Sequence, residues 1–81
     1  MTIRVRLFAR AKEVVGANVV EVSLAPGSTV ADFRHQLGQE FPTLASILAR
    51  SAIAVNDEYA QDSLIVPANA DAAIIPPVSG G

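Results

Sequence analysis

An amphipathic helix placed between short apolar strands is the feature that most constrains how this 81-residue chain can fold. Its apolar side chains recur at three- and four-residue steps, which places them on one face of a helix: Val30, Phe33, Leu37, Phe41, Leu44 and Leu48. Thr29 and Asp32 have capping-box spacing, which predicts where the helix begins. Because the residue before a proline avoids helical geometry, Pro42 should end the main helix near Glu40, with a shorter helical piece at about 43–49.

Short strand-like segments lie on both sides of this helix: about residues 2–7, 18–24, 52–55 and 72–75. The first two alternate polar and apolar side chains, which is typical of strands with one solvated face. A brief helical segment closed by Gly16 separates them. Tyr59 begins a return segment, and residues 64–66 fit either a brief strand or a buried loop. This order predicts an α+β domain in which a mixed sheet packs against one main helix.

The composition excludes several classes of function. Apolar residues make up 51% of the chain and the net charge is −2, so we expect a folded core and no nucleic-acid surface. The sequence contains no cysteine and therefore no disulfide, thiolate metal site or thiol nucleophile. No apolar run approaches the roughly 18 residues of a membrane span, and no signal peptide is visible. We therefore expect a cytoplasmic protein without a membrane partner.

Few side chains within the folded part suggest chemistry. His35 is the only histidine and lies off the apolar stripe, so a solvated helix position is expected. Three carboxylates between residues 57 and 62 lack the spacing of a calcium loop, which favours a solvated turn. Arg10 and Lys12 fit either a solvated helix face or a contact with a partner. We therefore predict no metal site and no catalytic group on the chain itself.

The last six residues, 76–81, form the most unusual stretch, and we expect them to extend from a globular domain of residues 1–75. Two prolines end the preceding strand and begin an extended spacer, and two glycines follow. Such a tail reaches roughly 20 Å at most. Small residues are common at chain ends, so the residues alone leave two possibilities. Either the tail has no role, or it delivers the ionised carboxylate of Gly81 into a narrow cleft of a partner.

The ending Pro76-Pro77-Val78-Ser79-Gly80-Gly81 resembles that of the small, sulfur-carrying subunits of molybdopterin synthase. The resemblance covers the whole chain and includes three further segments: Leu7-Phe8-Ala9-Arg10, Pro26-Gly27-Ser28-Thr29-Val30 and Ala54-Val55-Asn56. It implies a β-grasp, ubiquitin-like fold, which agrees with the order of elements predicted above.

The resemblance also implies a function. An ATP-dependent adenylyltransferase would adenylate Gly81, and a sulfurtransferase would convert the adenylate to a thiocarboxylate. The tail would then enter the large subunit of molybdopterin synthase, within a heterotetramer, and donate sulfur to cyclic pyranopterin monophosphate to form the dithiolene of molybdopterin. The adenylate and thiocarboxylate are transient, and no cofactor is bound. Two alternatives stay open: a sulfur carrier of another pathway, such as thiamine thiazole or cysteine synthesis, and a ubiquitin-like protein modifier.

The resemblance assigns roles to particular residues. Gly81 is the modified residue, and residues 76–80 thread the channel of the partner. Phe8, Tyr59 and Ile75 occupy positions of the partner interface, although the family often has an aliphatic residue at the second position and an aromatic residue at the third. The chain departs from the family at residues 68–71, Ala-Asn-Ala-Asp, where an acidic turn containing glycine is usual. We expect the asparagine to adopt the conformation of that glycine and to keep the turn.

Overall fold

A computed structural model describes residues 1–77, whose strands form one mixed sheet. The strands are β1 (Thr2–Arg6), β2 (Val19–Ser23), β3 (Ala52–Val55), β4 (Glu58–Ala60) and β5 (Asp71–Ile75). The helices are α1 (Ala9–Val15), α2 (Val30–Glu40) and α3 (Ala45–Leu48), with a 3-10 turn at Pro42–Leu44 before α3. The expected bounds of the main helix are confirmed. The distal part of the predicted tail, residues 78–81, lies outside the described residues.

The strand order is β2-β1-β5-β3-β4, so the last strand in the sequence occupies the centre of the sheet. β5 runs parallel to β1 and antiparallel to β3. The mixed sheet expected from the sequence is confirmed. β5 lies between the antiparallel β1–β2 pair and the short β3–β4 hairpin. The pairing of β1 with β5 joins residues that are far apart in the sequence, so no local sequence pattern predicts it.

The capping box predicted for α2 is present. The Asp32 backbone N–H donates to Thr29 Oγ1 at 3.2 Å, and the Thr29 backbone N–H donates to Asp32 Oδ2 at 2.9 Å. The hydrogen bond from the Thr29 backbone N–H stabilises the Asp32 carboxylate most, and the hydrogen bond from the Thr29 hydroxyl adds to it. Together they hold the pKa of Asp32 below its usual value. Because the pKa of Asp32 is lower in the folded state than in the unfolded state, the contribution of the cap to folding stability is fully present above the unfolded-state pKa. It is lost as the pH falls through the folded-state pKa.

The helices cover one face of the sheet and form a single core with it. The apolar stripe is buried at Val30, Phe33 and Leu37 of α2, as the spacing predicted. Strand residues that face the helices complete the core: Ile3, Val5, Val22, Ile53, Val55, Ala72 and Ile74. The alternating residues of the strands point to the opposite side, which no helix covers within residues 1–77 and which we call the uncovered face.

Turn conformations follow the residues that the sequence places there. Asn56 and Asp57, with φ of 51° and 69°, form the tight turn between β3 and β4, because two positive φ values match the twist of a two-residue hairpin. Asn69 has φ of 61°, so the expected glycine-like turn is kept. In the segment 64–66 only Val66 is buried, and Ile65 makes an isolated bridge to Thr29.

Gly38 lies within α2, where nothing in its surroundings requires a glycine. A Cβ added there would lie 3.7 Å from Leu48 Cδ1, an ordinary contact. Gly38→Ala should therefore raise the free energy of unfolding by about 0.5–1 kcal/mol, since alanine loses less backbone entropy in a helix. Urea denaturation measures this change. Gly16→Ala is the matched control and should destabilise the protein, because Gly16 has φ of 81°. A loss of stability in the Gly38 variant would contradict the prediction.

Candidate functional site

The base of the predicted tail is held by the most central strand of the sheet. β5 pairs with β1 from Asp71 to Ala73 and with β3 from Ala72 to Ile75, where Ile75 lies opposite Ala52. The strand ends at Ile75, as expected, and half-buried Pro76 and exposed Pro77 follow it. We call these two prolines the tail root. Since hydrogen-bonded neighbours flank β5 on both sides, the position and direction of the strand that precedes the tail root are fixed.

The parallel pairing of β1 and β5 brings together two residues assigned to the partner interface. Arg6 is the partner of Ala73, so continuing this register by two residues places Phe8 opposite Ile75. Phe8 keeps an extended backbone, with φ of −131° and ψ of 158°, and its side chain remains on the side of Arg6. Its side chain is 43% exposed.

Tyr59 lies on the same uncovered face, two strands away from β5. It pairs with Ala54 of β3, which in turn pairs with Ala73 of β5. The backbone of Tyr59 therefore lies roughly 10 Å from that of β5, which corresponds to two strand spacings. Tyr59 is 76% exposed, and the alanines between it and β1 are small, so this part of the face is flat and accessible. The structure therefore places Phe8, Ile75 and Tyr59 on one face of the sheet, with Tyr59 on the strand that pairs with β3.

A shallow groove of about 280 Å³ lies beside the tail root. Its lining residues come from three separate parts of the chain: Ala9, Arg10, Ile47, Arg50, Pro76 and Pro77. We call it the exit groove. Ala9 has φ of 49°, a left-handed conformation that costs a residue with a Cβ about 1 kcal/mol and turns the chain from β1 into α1. The sequence suggested Arg10 as a possible partner contact, but nothing in its pattern pointed to Ile47 or Arg50.

The remaining polar candidates take structural or solvated positions. His35 is exposed on α2, as predicted. Two of the carboxylates near the β3–β4 turn form separate ion pairs: Asp57 with Arg6 at 3.8 Å, and Asp62 with Arg34 at 3.3 Å. Among residues 1–77, no group of three or more His, Cys, Asp or Glu side chains is placed to hold a metal ion. In the same part of the chain, no helix combines the length and the hydropathy that a membrane crossing requires.

Comparison with known proteins identifies the family. A family model described as the ThiS family matches residues 5–81. The chain belongs to the ThiS family. A relative named molybdopterin synthase sulfur carrier subunit, from Arabidopsis thaliana, is 40% identical over 79 residues, which cover 98% of this chain and 82% of the relative. The resemblance drawn from the sequence is therefore confirmed.

Solved structures of similar proteins confirm the fold of this ThiS-family chain. SAMP1, the small archaeal modifier protein 1 of Haloferax volcanii, superposes with a TM-score of 0.87 at 28% identity, with full coverage of both chains. A complex of subunits 1 and 2 of molybdopterin-converting factor from Helicobacter pylori matches with a TM-score of 0.70 at 23% identity, again over 100% of both chains. The expected β-grasp, ubiquitin-like fold is confirmed.

Proposed function

We propose that this chain is the sulfur carrier subunit of a molybdopterin synthase and that Gly81 carries the sulfur. The observation that carries the proposal is the 40% identity, over 98% of the chain, to a subunit of that name. The lack of any cysteine supports it, because a sulfur carried by this chain then requires a group other than a thiol. In this role the chain is a sulfur donor, and the catalytic groups belong to its partners.

The chemistry proposed for Gly81 has three steps. A carboxylate oxygen attacks the α-phosphate of ATP on an activating enzyme, which releases pyrophosphate and leaves an acyl-adenylate. Hydrosulfide delivered by a sulfur donor then attacks the acyl carbon, displaces AMP with loss of a proton, and leaves a thiocarboxylate. In the large subunit the sulfur passes to cyclic pyranopterin monophosphate, and water restores the carboxylate. Two such cycles supply both sulfurs of the dithiolene.

The geometry of the tail root supports this role. Pro76 and Pro77 follow a strand that is hydrogen-bonded on both sides, and each proline restricts the backbone through its fixed φ. A restricted root lowers the entropy that the tail loses when it enters a channel. Gly80 and Gly81 have no Cβ, which allows a channel wall to approach the backbone closely. The proposed roles of residues 76–80 in threading the channel rest on this argument.

The proposed docking surface for the large subunit is the uncovered face beside the tail root. The register of β1 and β5, continued by two residues, brings Phe8 level with Ile75 at the end of β5, and Tyr59 extends the surface across β3. Exposed aromatic side chains of this kind are enriched among residues that dominate binding energy. The Helicobacter pylori complex of subunits 1 and 2 of molybdopterin-converting factor supports a two-subunit assembly for a chain with this fold.

Phe8→Ala should weaken association with the large subunit about tenfold or more, because truncating a central aromatic side chain commonly costs over 1 kcal/mol of binding. The melting temperature should change little, since 43% of Phe8 is already exposed. Isothermal titration calorimetry measures the affinity. Ile65→Ala is the matched control, an exposed apolar residue that pairs with Thr29 on another part of the surface. Equal binding by wild type and the Phe8 variant would remove Phe8 from the interface.

Intact-mass measurement of the protein purified from its own host tests the proposed function. Replacement of one oxygen by sulfur at Gly81 is the expected result. Reconstitution with the large subunit and cyclic pyranopterin monophosphate then separates this carrier from one that serves thiamine thiazole or cysteine synthesis. Absence of the sulfur-containing form under every growth condition, combined with no dithiolene product in the reconstitution, would overturn the proposal.

A protein modifier is the second candidate function. The superposition with a small archaeal modifier protein, at 28% identity and a TM-score of 0.87, favours it specifically. In that role the activated Gly81 would form an isopeptide bond with a lysine of another protein. The same mass measurement distinguishes the candidates, since a modifier would be recovered as a branched conjugate and a carrier as a thiocarboxylate.

A further inference from the structure

We propose that Arg10 and Arg50 bind carboxylates of the partner protein at the mouth of the channel that receives the tail. This inference rests on the proposed function, because it requires a partner that takes up the tail. It adds an electrostatic contact on the side of the tail root that faces away from Phe8 and the uncovered face.

The two guanidinium groups flank the exit groove from different elements. Arg10 lies in the first turn of α1, and Arg50 follows α3, where its backbone N–H donates to the Ile47 carbonyl at 3.1 Å. Both residues are exposed. Within residues 1–77 the ion pairs closer than 4.0 Å are those of Arg6 and Arg34, so neither groove arginine has a carboxylate partner there. The described lining of the groove contains two cations and no acid.

The positive groove stands out against an acidic protein. The net charge of the chain is −2, and the opposite end of β5 is acidic. That end begins at Asp71 and adjoins the β3–β4 turn with Asp57 and Glu58, because Val55 pairs with Ala72. Arg4 and Arg6 offset part of the negative charge at that end, whereas the lining of the exit groove holds Arg10 and Arg50 and no acid. Such an arrangement orients an approaching partner of negative potential toward the tail.

The spacing along the tail favours protein carboxylates as the bound group. Gly81 is four residues beyond Pro77 in the sequence, so in a tail that is extended inside a channel a phosphate attached to Gly81 would lie roughly 13 Å beyond the tail root. Two isolated cations are also too few for the phosphate backbone of a nucleic acid. Carboxylates at the mouth of the channel would lie beside the tail root, within reach of both arginines. Guanidinium groups pair with carboxylates through two parallel hydrogen bonds.

Stopped-flow association with the large synthase subunit of the same organism tests the inference at several salt concentrations. The double variant Arg10→Gln/Arg50→Gln should associate about tenfold more slowly at low salt and show a flatter salt dependence. Arg10→Lys/Arg50→Lys keeps both charges and should retain most of the rate. Arg4→Gln is the control for the loss of one positive charge and is compared with each single groove variant, because Arg4 lies at the start of β5, between Glu21 and Asp71, and away from the tail root and Phe8. It should associate at nearly the rate of wild type.

The outcomes separate this inference from the proposed function. If wild type binds the large subunit and the Gln double variant has the same rate and salt dependence, the electrostatic contact is overturned and the carrier role is unaffected. If the Arg4 and groove variants slow association equally, the effect is one of overall charge, and the contact is again overturned. If wild type does not bind the large subunit, both proposals fail. Circular dichroism confirms that each variant is folded.

Discussion

Deletion of Gly81 should abolish sulfur transfer and leave the folded domain intact. Removing one residue withdraws the terminal carboxylate by roughly 3.3 Å along an extended tail. Since a displacement of about 1 Å at a reacting centre can cost a hundredfold in rate, we expect a loss of at least that size. The fold should tolerate the change, because the last strand ends at Ile75 and all core residues of the described chain precede it.

A reconstituted synthase assay measures this effect, with production of the dithiolene as its readout. Addition of one glycine after Gly81 is the matched variant in the opposite direction and should be equally inactive, because it replaces the reacting carboxylate with a peptide bond. Thermal denaturation should give the same midpoint for all three proteins. Full activity of the shortened protein would refute the proposed role of Gly81.

Replacement of Arg34 by methionine should lower the free energy of unfolding by about 2 kcal/mol. Arg34 lies on α2, and its Nη1 donates to the carbonyls of Leu48 and Ser51, the latter at 2.9 Å. Its Nη2 donates to Asp62 Oδ1 at 3.3 Å. One side chain thus connects the main helix to the end of α3 and to the loop after β4. Methionine keeps the aliphatic packing but removes the Arg34 donor from both carbonyls, of which that of Leu48 still accepts from the Ser51 backbone N–H at 3.3 Å.

Urea denaturation measures the change, and Asp62→Asn separates its causes. That control removes only the ion pair, whose carboxylate is 61% exposed, so the expected loss is below about 1 kcal/mol. The buried Nε of Arg34 has no hydrogen-bond partner among the described residues, and its removal offsets part of the cost in the methionine variant. Equal losses in both variants would show that the ion pair, and not the carbonyl contacts, provides the stability.

Features that depend on neighbouring residues were predictable from the sequence. The start of α2 follows from Thr29 and Asp32, its end from Pro42, and the turn at Asn69 from the tolerance of asparagine for positive φ. The solvated face of β1 follows from simple alternation. Each of these signals lies within a few residues of the feature that it determines, so no knowledge of distant contacts is needed.

Features that depend on distant pairing could not be predicted in this way. The central position of β5 arises from contacts between Arg4 and Asp71 and their neighbours, at opposite ends of the chain. The exit groove combines α1, the end of α3 and the tail root, and Arg50 alone has no distinguishing pattern. The assignments of Phe8, Tyr59 and Ile75 came from family resemblance, and the structure adds that all three lie on the uncovered face.

The central position of β5 also has a consequence for biosynthesis. Its parallel partner β1 is synthesised before the helices, β3 and β4, whereas residues 71–75 follow all of these elements. We therefore expect the nascent chain to stay incompletely folded until β5 emerges, because the core lacks Ala72 and Ile74 before then. Products of premature termination would expose apolar surface and become substrates for proteolysis. The pool of folded protein is in this way restricted to copies that have synthesised the strand from which the tail extends.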